Sequence, residues 1–120
     1  MTNAQSFVPG DFLVFQLESG YGLMRLLAIG AQAGEAVWHV RGYSDLFFDT
    51  ENAEERALNG VLGVAVRHVA LTERAFESTQ VSRLAHRDLE PELLALVKAW
   101  ENDPERVVSD RSVRLHLGLR

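Results

Sequence analysis

The 120-residue chain has no cysteine, no apolar run long enough to cross a bilayer and no low-complexity tract. The missing cysteine excludes disulfides, thiolate metal sites and a Cys nucleophile. The longest apolar stretches, "FLVF" and "VLGVAV", fall far short of the roughly 20 residues that a membrane helix needs. The opening "MTNAQSFVPGD" has neither a basic n-region nor an apolar h-region, so it does not read as a secretory signal. A cytoplasmic protein is the expectation. A hydrophobic content of 47% is ordinary for a folded chain, and the length suits one domain, residues 1–120.

Charge is unevenly placed. Residues 1–60 hold eight acidic and three basic side chains, and residues 61–120 hold nine of each. An acidic front half repels phosphate backbones, which call for clustered Lys and Arg. The densest basic run lies in the tail, where Arg106, Arg111, Arg114 and Arg120 stand against Glu105 and Asp110. It is a weak lure for nucleic acid, and a solvated strand face accounts for it as well.

The front half reads as strands. "DFLVFQL" (11–17) is opened by Pro9-Gly10, and "ESGYG" supplies a turn with Ser19-Gly20 as its tight pair. "LMRLLAI" (23–29) follows with Arg25 as its one polar break, then "AQAGE" as a second turn. "AVWHVRGY" (36–43) alternates, with Trp38, Val40 and Gly42 opposite His39, Arg41 and Tyr43. Such short links make these three strands an antiparallel meander. Thr50–Leu58 suits a short helix with acidic residues at its positive end and Asn59-Gly60 as its stop. "VLGVAVRHVAL" (61–71) returns to strand, and a turn of helix at "TERAFES" leads to a weaker strand at "QVSRLAHR".

Five strands with short links predict an α+β fold built on a small SH3-like antiparallel β-barrel over residues 1–89. Phe12, Val14, Leu26, Trp38, Val64 and Val66 are its expected core. From Pro91 the period changes: Leu93, Val97 and Trp100, flanked by Leu94 and Leu96, form a helical apolar stripe, giving an amphipathic helix over 90–102. The extension 103–120 ends in "SVRLHLGLR", where Val113, Leu115, Leu117 and Leu119 alternate with Arg114, His116 and Gly118. That pattern predicts a C-terminal strand needing a sheet edge, in the same chain or in a second copy. A homodimer through residues 109–120 is the preferred form.

Catalytic and metal motifs are weak throughout. "AHRDLEPELL" (85–94) resembles the catalytic loop of protein kinases, but the metal-binding Asn is replaced by Leu93. The single lysine, Lys98, lies downstream, and neither a Gly-rich loop nor Asp-Phe-Gly accompanies the motif. Asp88 is therefore read as structural. His39, His68, His86 and His116 show no i, i+2 or i, i+4 pairing, so a metal would need all four to converge through the fold. No Gly-x-Ser-x-Gly elbow supports a Ser-His-Asp site. No catalytic residue, metal site or cofactor is assigned, and an enzyme is not expected.

The segment "RGYSDLFFDTENAEE" (41–55) stands out by composition. It joins Tyr43, Phe47 and Phe48 to Asp45, Asp49, Glu51, Glu54 and Glu55. One reading sends both Phe rings into the core beneath a solvated acidic loop. The other makes the rings anchors of a docking surface rimmed by carboxylates, suited to a basic partner protein.

"PGDFLVFQLESGYGLMRLLAI" resembles the start of the immunity protein 26 family of bacterial toxin systems, through Gly10, Asp11, Gly20, Tyr21, Gly22 and Arg25. The resemblance covers about the first 30 residues and implies an SH3-like barrel that binds and neutralises a toxin. Two function classes follow. One is a non-enzymatic protein-binding module using the acidic aromatic loop. The other is a nucleic-acid-associated accessory domain using Arg106, Arg111 and Arg114.

Overall fold

The computed structural model describes residues 7–118. Five strands come first: β1 (Asp11–Leu17), β2 (Gly20–Gln32), β3 (Glu35–Tyr43), then β4 (Val64–Leu71) and β5 (Val81–His86). Helix α1 (Thr50–Asn59) lies between β3 and β4, and a 3-10 turn (Glu73–Phe76) between β4 and β5. Helices α2 (Pro91–Glu101) and α3 (Val113–His116) follow. No helix among the described residues is long and apolar enough to cross a membrane.

All pairings between the strands are antiparallel, in the order β4-β3-β2-β1-β5. The meander over β1, β2 and β3 forms as expected. The two-residue link between β1 and β2 is Glu18-Ser19, one position earlier than the sequence suggested, because Leu17 and Gly20 still pair. The β2–β3 link is Ala33-Gly34, with φ of 53° and 81°. Two consecutive positive φ values fit the right-handed twist of a tight hairpin. The sheet is not closed, since β4 and β5 are its two edges.

The sheet buries both faces, which explains why its central strands read as near-continuous apolar runs. On one face Leu13, Phe15, Met24, Leu26, Trp38 and Val40 meet Phe7, the 3-10 turn (Ala75, Phe76) and Val113 and Leu117 from α3. Trp38 is fully buried there, between the Phe7 and Phe76 rings at 6.1 and 5.6 Å. On the other face Phe12, Leu23, Tyr43 and Phe47 receive Ala53 and Ala57 of α1. Leu27 on that face receives Leu93 and Val97 of α2. The expected single core is thus two: Phe12 lies on the opposite side of the sheet from Leu26 and Trp38. Val14 is buried and Val66 half-buried, but Val64 is exposed at the start of the edge strand β4.

The C-terminal strand does not form. Val113–His116 is a helical turn, ended by Gly118 at φ +75°. Residues 113 and 117 share a side in both a strand and a helix, so alternation alone cannot separate the two. Val113 and Leu117 enter the core while Leu115 stays half exposed, which is the helical outcome. Leu117 lies against Gly42 of β3, where any side chain would collide with it. Leu119 and Arg120 lie outside the described residues. Because Val113 and Leu117 are covered within the chain, those two residues do not call for a second copy. The edge pairing expected of the tail survives as one parallel bridge, Ser109 with Leu71.

Truncating Trp38 to Ala should cost about 3–5 kcal/mol in urea unfolding. Leu117→Ala should cost about 2–5 kcal/mol, with Leu115→Ala within about 0.5 kcal/mol of the parent. Equal losses at 115 and 117 would restore the strand.

Candidate docking surface

Residues 44–49 leave β3 and double back to β2. Phe47 exchanges backbone hydrogen bonds with Tyr21, its oxygen accepting at 2.7 Å and its N–H donating at 3.0 Å. Gly20 is required beside this bridge, because a Cβ there would strike the Phe47 carbonyl oxygen. Extended backbone puts neighbouring side chains on opposite sides. Phe47 accordingly points into the core at 8% exposure, and Phe48 points outward at 91%. The core reading holds for Phe47, and Phe48 is the ring left in water.

The carboxylates divide in the same way. Asp49 caps α1, its Oδ1 accepting the Asn52 N–H at 2.8 Å. Asp45 binds Arg56 at 2.9 Å and accepts the Gly63 N–H at 3.1 Å, fastening the two ends of the 44–63 excursion. Tyr43 is buried and stacked on Phe12, and burial raises its phenol above the usual range despite the nearby arginines. What remains at the surface is Phe48 and Leu46, with Glu51, Glu54 and Glu55 on the outer face of α1. Glu55 is steadied by Asn59. Leu46, Phe47, Phe48, Asn52, Glu55 and Arg56 line a shallow cleft of about 270 Å³.

The basic tail residues are arranged differently. Arg106 lies over the Trp100 ring at 5.5 Å and donates to the Asp103 carbonyl. Arg106 and Arg111 line one cleft of about 440 Å³ with His68, Trp100 and His116, and Asp103 and Glu105 share that lining. Arg114 sits half-buried on α3. The strand face expected to carry these arginines is absent.

Two clusters were invisible in the sequence. Asp11 is buried and accepts from Val8 N–H at 2.9 Å and Arg83 Nε at 2.7 Å, with His86 Nδ1 also at 2.7 Å. Burial alone would raise its carboxyl, but these three partners outweigh it and hold the pKa below the usual value. The same carboxylate, with Asp88, raises the His86 imidazole. Asp88, fully exposed, meets the other ring nitrogen of His86, Nε2, at 3.2 Å. In the second cluster, His39 Nδ1 and His68 Nε2 meet at 2.9 Å across β3 and β4. Among the described residues no three His, Asp or Glu side chains are arranged to hold a metal ion. Nothing in linear spacing marks either cluster, because both join residues on adjacent strands.

No protein-family model, no curated protein and no solved structure matches this chain. Of the residues that carry the resemblance noted above, Asp11, Gly20, Tyr21 and Arg25 all serve the fold. Arg25 is buried beneath residues 87–90.

Phe47→Ala should cost about 3–5 kcal/mol in thermal or urea unfolding, and Asp49→Ala about 1 kcal/mol through loss of the cap. Phe48→Ala should stay within about 0.5 kcal/mol of the parent. A large loss on removing the Phe48 ring would make it part of the core.

Proposed function

We propose that the protein is a non-enzymatic binding module that docks a basic partner protein on Phe48 and the acidic face of α1. The observation that carries this is Phe48 itself, a whole aromatic side chain held in water on a link whose other ring is buried. A single exposed apolar residue is common, but an aromatic beside a shallow cleft and a charged rim has the anatomy of an interface anchor. Glu51, Glu54 and Glu55 would steer the partner, while Asp45 and Asp49 hold the loop in shape. An immunity-type inhibitor of a bacterial toxin, acting in the cytoplasm from an SH3-like bent sheet, is the specific form this reading takes. Its support is the sequence resemblance over the first two strands.

The second reading, a nucleic-acid-associated accessory domain, draws on Arg106 and Arg111 converging beside Trp100. Asp103 and Glu105 in the same lining offset their charge, so it ranks second.

The test begins with a pull-down comparing parent and Phe48→Ala, followed by kinetics with the protein that the parent alone retains. Phe48→Ala should weaken binding by about 2 kcal/mol or more, mainly through faster dissociation. Changing Glu51, Glu54 and Glu55 together to Gln should slow association and flatten its salt dependence. Parent-like binding by both variants refutes the surface. Salt-dependent retention on a nucleic-acid column that Arg106→Gln and Arg111→Gln abolish would put the second reading in its place.

A further inference from the structure

His39 lies on β3 at 3% exposure, and His68 faces it from β4 with the two rings nearly parallel, 5.1 Å between centroids. The other side of His39 meets the Trp100 ring of α2 edge-on at 4.7 Å. The Trp100 indole N–H in turn donates to the Val107 carbonyl at 3.0 Å. Two residues on, the Ser109 N–H donates to Ala70 of β4 and the Ser109 carbonyl accepts from Thr72. Residues 100–109 therefore form a strap over the edge of β4, resting on the histidine pair through one tryptophan. Both ends of the strap are anchored elsewhere: Leu93 and Val97 on Leu27, and Asp110 on Thr72 and Arg74.

We propose that the His39–His68 pair is an acid-sensitive latch, which lets the strap lift from β4 when both imidazoles carry a proton. The chemistry follows from the shared bond. A neutral pair places one N–H between Nδ1 of His39 and Nε2 of His68. A first added proton can go to a nitrogen facing away, leaving the bridge intact. A second must go to the bridging lone pair, whichever tautomers are present. Two N–H groups then point at each other and two positive rings stand stacked, so the pair must separate.

The surroundings oppose that second charge. Burial and the neighbouring His68 push the His39 pKa down to about 4, and burial lowers His68 as well. Ala28 of β2, opposite His39, offers no charge. Within the sheet the nearest charged neighbours are Arg41 and Arg67, the first donating to the carbonyl of the second. On the strap side stand Asp103, Glu105, Arg106, Arg111 and His116. Both imidazoles are depressed, so the latch is at full strength above pH 6.5 and weakens as the pH falls toward 4. Asp11, Glu90 and Asp110 have lowered pKa values and stay largely ionised through most of that window. The strap should open before the sheet does, freeing part of the β4 edge and the 440 Å³ cleft beside it.

The two tryptophans give a test with an internal control. Hydrogen exchange of both indole N–H groups is followed by NMR from pH 7.5 to 4 and corrected for intrinsic rates. Protection at Trp100 should fall by about tenfold or more between pH 6.5 and 4, with Trp38 unchanged. His68→Gln should abolish the response, because a Gln amide can turn its oxygen to accept from a protonated His39. His39→Phe, which keeps a ring against Trp100 but cannot titrate, should also be flat. The latch is overturned by constant Trp100 protection down to pH 4, by joint loss at Trp38 and Trp100, or by a parent-like response in His68→Gln.

Discussion

The path of the second half of the chain depends on one buried cation. Arg25 lies in the middle of β2, 3% exposed, with its guanidinium over the Phe12 ring at 4.6 Å. A charge taken out of water is costly unless its donors are met. Here Nη2 is met by the carbonyls of Arg87 and Asp88, at 2.7 and 3.1 Å, and Nη1 by the Glu90 carboxylate at 3.1 Å, while the buried Nε has no partner among the described residues. Satisfying Arg25 thus fixes where the chain passes after β5, and so where Pro91 begins α2. The "HRDLEP" stretch, which looks like a catalytic loop, acts as the acceptor for this arginine.

Arg25 also sits between the two clusters on its face of the sheet, with α1 at one end and α2 at the other. Covering both faces removes most of the apolar surface, and the edges then become the exposed part of the sheet. The edge strand β4 is interrupted twice by register irregularities opposite Val40–Tyr43. The Arg41 side chain bonds the Arg67 carbonyl, and the strap covers the far end at Ala70 and Thr72. Bulges, a charged side chain and a covering segment are the usual ways to keep an edge from pairing with strangers. The histidine latch acts on the last of these, which gives that protection a condition.

The exposed patch around Phe48 is a consequence of the same backbone. The return of residues 44–49 to Tyr21 sets the alternation that buries Phe47 and exposes Phe48. Asp45 and Asp49 then hold the excursion by binding Arg56, Gly63 and the first turn of α1. Residues that resemble one another in composition therefore do opposite things. The Phe48 ring and the Glu51, Glu54 and Glu55 side chains stay exposed while their neighbours complete the fold.

The sequence alone determined the local structure. Alternation and turn residues placed the three-strand meander, Thr50–Leu58 with its Asn59-Gly60 stop marked α1, and Pro91 with the Leu93–Val97 stripe marked α2. These features rest on interactions within a few residues, where spacing is informative. Only the tertiary structure decided the rest. Strands apolar on both faces do not say which neighbour covers which side, so Phe12 and Trp38 belong to different cores. Val113 and Leu117 satisfy strand and helix alike until the space over Gly42 selects the helix. Phe47 and Phe48 are told apart only by a bridge to Tyr21, some 26 residues earlier in the chain and reached through the antiparallel sheet. His39 and His68, 29 residues apart, meet because β3 and β4 pair. Contacts of that range are set by which strands lie side by side, and no linear pattern records it.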